Sequence, residues 1–292
     1  MKSTGTLNWM ALALAGALTL AVGCGRKTES PAQNKSKGTV KLAYVNWAEG
    51  VAVTHLLTTL LEDMDYTVET TMADVAPIYA SVADGNQDVM VETWLPAMHK
   101  AYYEKYGDQL DLISTWFDEG RVGLVVPAYV EIDSIEQLNG ARDRFKGRIT
   151  GIDSGAGIMG TTEKAIEAYS LDMELLASSG PAMTAALKGA IDQKDWIVVT
   201  GWAPHWKFAR YDLKFLDDPK GVYGDIERVQ MAVRKGFADD FPEVAALLGN
   251  LKFDSAQIGS LMDAMESGDG SEEARVRRWI EDNRTLVNSW LP

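Results

Sequence analysis

Three tryptophans, Trp47, Trp94 and Trp202, each stand where an apolar strand-like run ends and a helical run is about to begin. An indole face is electron-rich, so several faces around one space suit a cation that cannot donate hydrogen bonds, such as trimethylammonium. Each desolvated face contributes about 2 kcal/mol, against about 8 kcal/mol for a micromolar dissociation constant. The competing reading is core packing, which does not account for the same kind of junction being used three times. Trp116, Trp196 and Trp206 read as packing or rim residues, and Trp279, on an amphipathic run, as core.

A second candidate is the loop Gly155-Ala156-Gly157-Ile158-Met159-Gly160, a literal G-x-G-x-x-G between a strand and a helix. A dinucleotide site also needs an acid after the next strand, where this chain has Ser178-Ser179-Gly180. Thr161 stands where a P-loop would have lysine. No dinucleotide or other cofactor is expected. Exposed amides at a helix start still favour an anion, a carboxylate as readily as a phosphate. A tight turn needing positive φ explains the glycines equally well.

The three histidines, His55, His99 and His205, have no metal-ligand spacing and no cysteine beside them, so no metal site is predicted. His99, just past Trp94-Leu95-Pro96, can donate a hydrogen bond to a carboxylate while neutral. No nucleophile–base pair is recognisable, and the reading is of a protein that binds and does not catalyse.

These residues must be held by something, and the chain supplies one pattern twice. A strand at Lys41–Val45 leads through Asn46-Trp47-Ala48-Glu49-Gly50 into a helix at Val51–Met64. Arg148–Ile152 leads through Asp153-Ser154-Gly155-Ala156-Gly157 into a helix at Ile158–Tyr169. Each unit continues strand, helix opened near a proline, strand. The last strands end alike, in Thr93-Trp94-Leu95-Pro96 and Thr200-Gly201-Trp202-Ala203-Pro204. Arg121–Val126 is echoed by Arg228–Val233 at nearly the same offset. Alternating strands and helices predict an α/β fold of mostly parallel sheets, with ligands beyond the carboxyl ends of the strands. Proline after the tryptophan is expected to open the following helix. Two lobes facing across a cleft follow, with crossing strands near Leu124 and Val229 as the hinge. Residues 38–125 and 230–292 are assigned to lobe I and 126–229 to lobe II.

At the N-terminus, Lys2 precedes an apolar run, Trp9–Val22, shorter than the roughly 20 residues of a spanning helix. Ala21-Val22-Gly23 then lead into Cys24, the chain's one cysteine. The expectation is a signal peptide over residues 1–23, lipidation of Cys24, and a flexible tether over 24–37. The mature protein would be extracytoplasmic, anchored to a membrane by lipid. A formal charge of −14 excludes a basic nucleic-acid surface, and 46% hydrophobic residues exclude a disordered chain.

Several of these motifs in combination resemble the glycine betaine-binding proteins of ABC transporters. They are Asn46-Trp47-Ala48-Glu49, Glu92-Thr93-Trp94-Leu95-Pro96 followed by His99-Lys100-Ala101-Tyr102, Gly151-Ile152-Asp153 through Met159, and Val199 through Trp206. The resemblance covers nearly the whole mature chain. It implies a two-lobed type II periplasmic-binding-protein fold and a cage of Trp47, Trp94 and Trp202. It also implies a carboxylate clamp from the backbone N–H groups of Gly157 and Ile158, with His99 beside it. Implied partners are glycine betaine or a similar zwitterion, and an ABC permease with its ATPase subunits; the protein is expected to be a monomer. Ala97-Met98 departs from the more polar residue expected before the histidine and leaves fine selectivity open. Choline, carnitine, proline betaine or a sulfonium analogue would fit the same cage. A sensing lipoprotein that feeds no transport is the reading from another class.

Overall fold

The computed structural model describes residues 36–292. The expected signal peptide, Cys24 and all but the end of the tether lie outside the described residues.

The doubled pattern is present as β1 (Thr39–Tyr44), α1 (Ala48–Asp63), β2 (Thr67–Met72), α2 (Val75–Ala83) and β3 (Val89–Leu95), followed by α3 (Lys100–Tyr106). After the long strand β4 (Leu110–Pro127) come β5 (Arg148–Thr150), α4 (Gly157–Ala168), β6 (Glu174–Leu176), α5 (Gly180–Gln193) and β7 (Val199–Ala203). The chain continues through α6 (Lys207–Arg210), β8 (Leu213–Phe215) and β9 (Glu227–Arg234). It ends in α7 (Phe237–Asp240), α8 (Pro242–Asn250), α9 (Ser255–Ser267), α10 (Glu272–Asp282) and α11 (Arg284–Asn288).

Local sequence accounts for these elements. In α1 the buried Ala52, Val53, Leu56, Leu57, Leu60 and Leu61 recur at helical spacing, which gives the helix one apolar face. Asp65, at positive φ, turns the chain away after it. In β3 the run Val89–Trp94 is buried at every position, as an interior strand requires, whereas β2 is largely exposed and lies at one end of the sheet path.

The strand order is β2-β1-β3-β9-β4-β7-β5-β6, with β8 paired to β4. Within each repeat the ladders are parallel, β1 with β2 and β3, β5 with β6 and β7. The middle differs from the expected mostly parallel sheet, because β3–β9, β9–β4 and β4–β7 are all antiparallel. This is a two-lobed α/β architecture in which β4 serves both halves. Its residues Leu110–Gly120 pair with β9, and Arg121–Pro127 pair with β7 and β8. Leu124 therefore pairs with Thr200 inside the second ladder, and the change of ladder falls at Gly120–Arg121. A Cβ on Gly120 would stand 2.7 Å from the Glu227 carbonyl oxygen and 3.0 Å from the Trp94 ring.

The C-terminal helices return to the first repeat, α9 and α10 against α1 and α8 against β4. Trp279 stacks on Trp290 there, beside Phe253. Trp116 is fully buried and donates its indole N–H to the Val91 carbonyl at 2.9 Å. Trp196 packs on Phe145 under the Arg144 guanidinium. His55, half-buried on α1, faces Glu272 at 3.4 Å. No described helix is long and apolar enough to cross a membrane.

Candidate functional site

The carboxyl ends of β1, β3 and β7 and the N-terminus of α4 converge on one cavity with about 290 Å³ of empty space. Trp47, Trp94, Trp202, His99, Gly157 and Ile158 all line it, so the structure brings together every residue predicted from sequence to contact a ligand. Glu49, Met98, Val122, Ile152 and Ala156 complete the wall.

Each ring is fixed by its element. Trp47 caps α1 in extended conformation, and its ring centroid lies 6.3 Å from that of Trp202 and 5.8 Å from the His99 ring. Trp94 and Trp202 lie near the ends of β3 and β7, paired with Val229 and Val122. Pro96 and Pro204 follow cis peptide bonds in the turns beyond those strands. Neither opens a helix as the sequence suggested, since α3 begins at Lys100 and α6 at Lys207. In the first turn, the Glu227 carboxylate accepts the N–H groups of Ala97 and Met98 at 2.9 and 3.3 Å.

His99 is buried, and its Nδ1 accepts the Trp94 N–H at 3.1 Å, which leaves the ring proton on Nε2. Burial lowers its pKa to about 3, so it is a neutral donor at any physiological pH. No side chain caps α4, whose first amides belong to Gly157 and Ile158. The site thus has an aromatic end and an amide-and-imidazole end, a match for a small molecule with a methylated cation and an anion.

The two repeats meet closely here. A Cβ on Gly157 would fall 1.9 Å from the Met98 carbonyl oxygen, so only glycine permits this approach of α4 to the turn after β3. Three hydrogen bonds to oxygen acceptors cross between repeats, and the Thr161 hydroxyl also reaches Met98 Sδ at 4.0 Å. Trp202 Nε1 donates to Glu49 Oε2 at 2.9 Å, Trp47 Nε1 to Asp153 Oδ1 at 3.4 Å, and the Tyr102 hydroxyl to the Gly155 carbonyl at 2.8 Å.

Sequence reasoning gave no role to Glu49, Glu92 or Lys207, all fully buried, Glu49 and Lys207 against Trp202. Glu49 in the first turn of a helix looks like ordinary dipole complementarity, and Lys207 looks like a surface lysine. Written as carboxylates, Glu49 and Glu92 would leave Glu49 Oε1 and both Glu92 oxygens without a donor. One proton shared between them pairs Glu49 Oε1 with one of the Glu92 oxygens. Burial raises the pKa of both, Glu92 well above the usual range with the Glu49 charge adding to it. Gly50 makes room for the pair, as a Cβ there would meet Glu92 Oε1 at 2.0 Å. A hint was present in the sequence: Glu49 and Glu92 each stand two residues from a tryptophan that lines the cavity.

Residues 38–282 match a family model described as the substrate-binding domain of ABC-type glycine betaine transport systems. The chain is 46% identical over 145 residues to the glycine betaine/carnitine transport binding protein of Listeria monocytogenes, a match spanning 49% of this chain and 48% of that protein. Two solved structures are similar over 87% of this chain. One is a lactococcal protein in a closed, liganded conformation with glycine betaine, 38% identical, TM-score 0.82, covered over 100% of its length. The other is the glycine/betaine/L-proline-binding protein of a Borrelia burgdorferi ABC transporter, 37% identical, TM-score 0.82, covered over 97%.

Proposed function

This chain belongs to the family of substrate-binding domains of ABC-type glycine betaine transport systems, and from that premise we propose that it captures glycine betaine in the cavity of Trp47, Trp94 and Trp202. The observation that carries this reading is the convergence of three indoles from separate strand ends on one small space closed by the start of α4. The trimethylammonium group would lie among the rings, and the carboxylate would take the Gly157 and Ile158 amides with the His99 Nε2–H.

Walls drawn from both repeats give the ligand its differential affinity for the closed state, without which no closure is driven. Lobe I would comprise residues 38–125 and 230–292 and lobe II 126–229, a first crossing that falls within five residues of the ladder change at Gly120–Arg121. An ABC permease with its ATPase subunits would read the closed form and take the ligand. The protein would act as an extracytoplasmic monomer, tethered to the membrane by lipid on Cys24, and would catalyse nothing.

Carnitine is a second candidate, favoured by the name of the Listeria relative. Calorimetric titration with glycine betaine, proline betaine, carnitine and choline tests both. Choline has no carboxylate, so tight choline binding would remove the clamp from the account. Trp94→Ala and Trp202→Ala should each weaken betaine binding roughly tenfold or more, one lost face being about 2 kcal/mol. Unchanged affinity in both variants would sink the cage.

A further inference from the structure

Lys207 has no part in the site as described, yet it touches one of the site's walls. It is fully buried, its Nζ stands 4.2 Å from the centroid of the Trp202 ring, and the one hydrogen bond of that amine among the described residues, to the Trp202 carbonyl, is long at 3.4 Å. Lys207 is absent from the cavity lining, so the amine meets the ring without facing the cavity. The Phe208 ring, 5.3 Å away, is its other aromatic neighbour. An ammonium with so few acceptors is an expensive thing to bury, and it lies against the ring that is proposed to hold a ligand cation.

We propose that Lys207 is a positioning residue that sets how strongly Trp202 holds a cation: its ammonium draws on the same π-system, and release of its proton leaves the ring's electrons to the ligand. This rests on the proposed cage. Two cations sharing one ring repel, so occupancy of the cavity favours the neutral amine. Burial already brings the Lys207 pKa down to about 7, opposed by the Glu49 charge, so the exchange falls in the physiological range.

The sign follows from linkage. A ligand cation lowers the Lys207 pKa further, binding releases a proton, and affinity rises as pH rises through about 7. The groups facing this pair are few. Glu49 of α1, itself raised to about 7 by burial, would be favoured as the carboxylate by a ligand cation and so shares the sign. Glu92 of β3 lies well above the carboxylate range. His205, in the turn before α6, is held well below the histidine range by burial and by Lys207, and His99 lies at about 3. Asp153 is raised by burial and reaches the site through Trp47.

Tetramethylammonium is the probe of choice, because it engages the cage without the carboxylate end. Calorimetry on the whole protein should show affinity rising roughly tenfold from pH 6 to pH 8.5, the scale of two charges sharing one ring at partial screening. Lys207→Met removes the charge at similar length, and an apolar replacement for a buried ion is usually tolerated by the fold. At pH 6 this variant should bind the probe roughly fivefold tighter than wild type. At pH 7, titrations in buffers of different ionisation enthalpy should show fewer protons released than by wild type. Lys207→Gln repeats the test should the methionine variant fail to fold. Equal or weaker binding at pH 6 in a folded variant would make Lys207 a packing residue and overturn the proposal. A wild-type protein that binds neither tetramethylammonium nor glycine betaine at either pH would instead remove the proposed function, and this inference with it.

Discussion

Trp94 and Trp202 occupy equivalent places in the two repeats and are wired differently. Both end a β-strand, both precede a residue and a cis proline, and both have a histidine close behind. The indole N–H of Trp94 finds no acceptor among the described residues, and its ring rests against Gly120 of the crossing strand β4. The indole N–H of Trp202 goes to Glu49 in the opposite repeat, and a buried lysine lies against its ring. One ring is a wall. The other is a wall tied across the repeats, because its indole N–H is held by a carboxyl of the opposite one.

The bluntest way to break this comparison is to keep the repeats apart. Gly157→Ala places a methyl carbon 1.9 Å from the Met98 carbonyl oxygen, an overlap with backbone that rotamers cannot relieve. Overpacking of this kind costs up to about 3 kcal/mol, so betaine affinity should fall roughly a hundredfold while each repeat stays folded. Calorimetry with circular dichroism checks both halves of that statement, and wild-type affinity would show that α4 and the turn after β3 need not meet.

A finer test keeps an aromatic ring at each position and removes the N–H groups. Trp202→Phe deprives a buried carboxyl of its donor, which costs about 1.5–3 kcal/mol, so the expected loss of affinity is roughly tenfold or more. Trp94→Phe deprives nothing, and a change of about twofold is expected from reduced face area. Equal losses in the two variants would show that the wiring does not matter.

The smallest expected effect is on the histidine behind Trp94. With its pKa near 3, His99 should show no imidazole titration by NMR between pH 5 and pH 8. An inflection in that range would mean that the ring is wetter than its burial implies, and would reassign part of any pH dependence to it.

The difference between the two tryptophans also marks what could be read in the sequence. The rings themselves were legible, because a tryptophan at a strand-to-helix junction is unusual and the chain repeats it. The parallel ladders within each repeat were legible for the same reason, β1-α1-β2-α2-β3 and β5-α4-β6-α5-β7 being alternations with clear apolar spacing. The antiparallel centre was not. Pairing of Leu110 with Arg234, or Arg121 with Ala203, joins segments far apart in the chain, and no local periodicity records which strands become neighbours. Glu49, Glu92 and Lys207 escaped for a different reason. Charged residues are almost always at the surface, and only tertiary packing reveals three that are not.

Gly120 has a consequence for how the halves of the molecule can vary. The spot where β4 leaves one ladder for the other is also the spot where the Trp94 ring rests, with no space for even a methyl group between them. Any displacement of the backbone at that corner must therefore push on the aromatic wall, and any larger occupant pressing on the wall must push on the corner. If the lobes close about this corner as proposed, solute size and the ease of swinging shut are one mechanical variable, and a lineage that retunes the first inherits a change in the second.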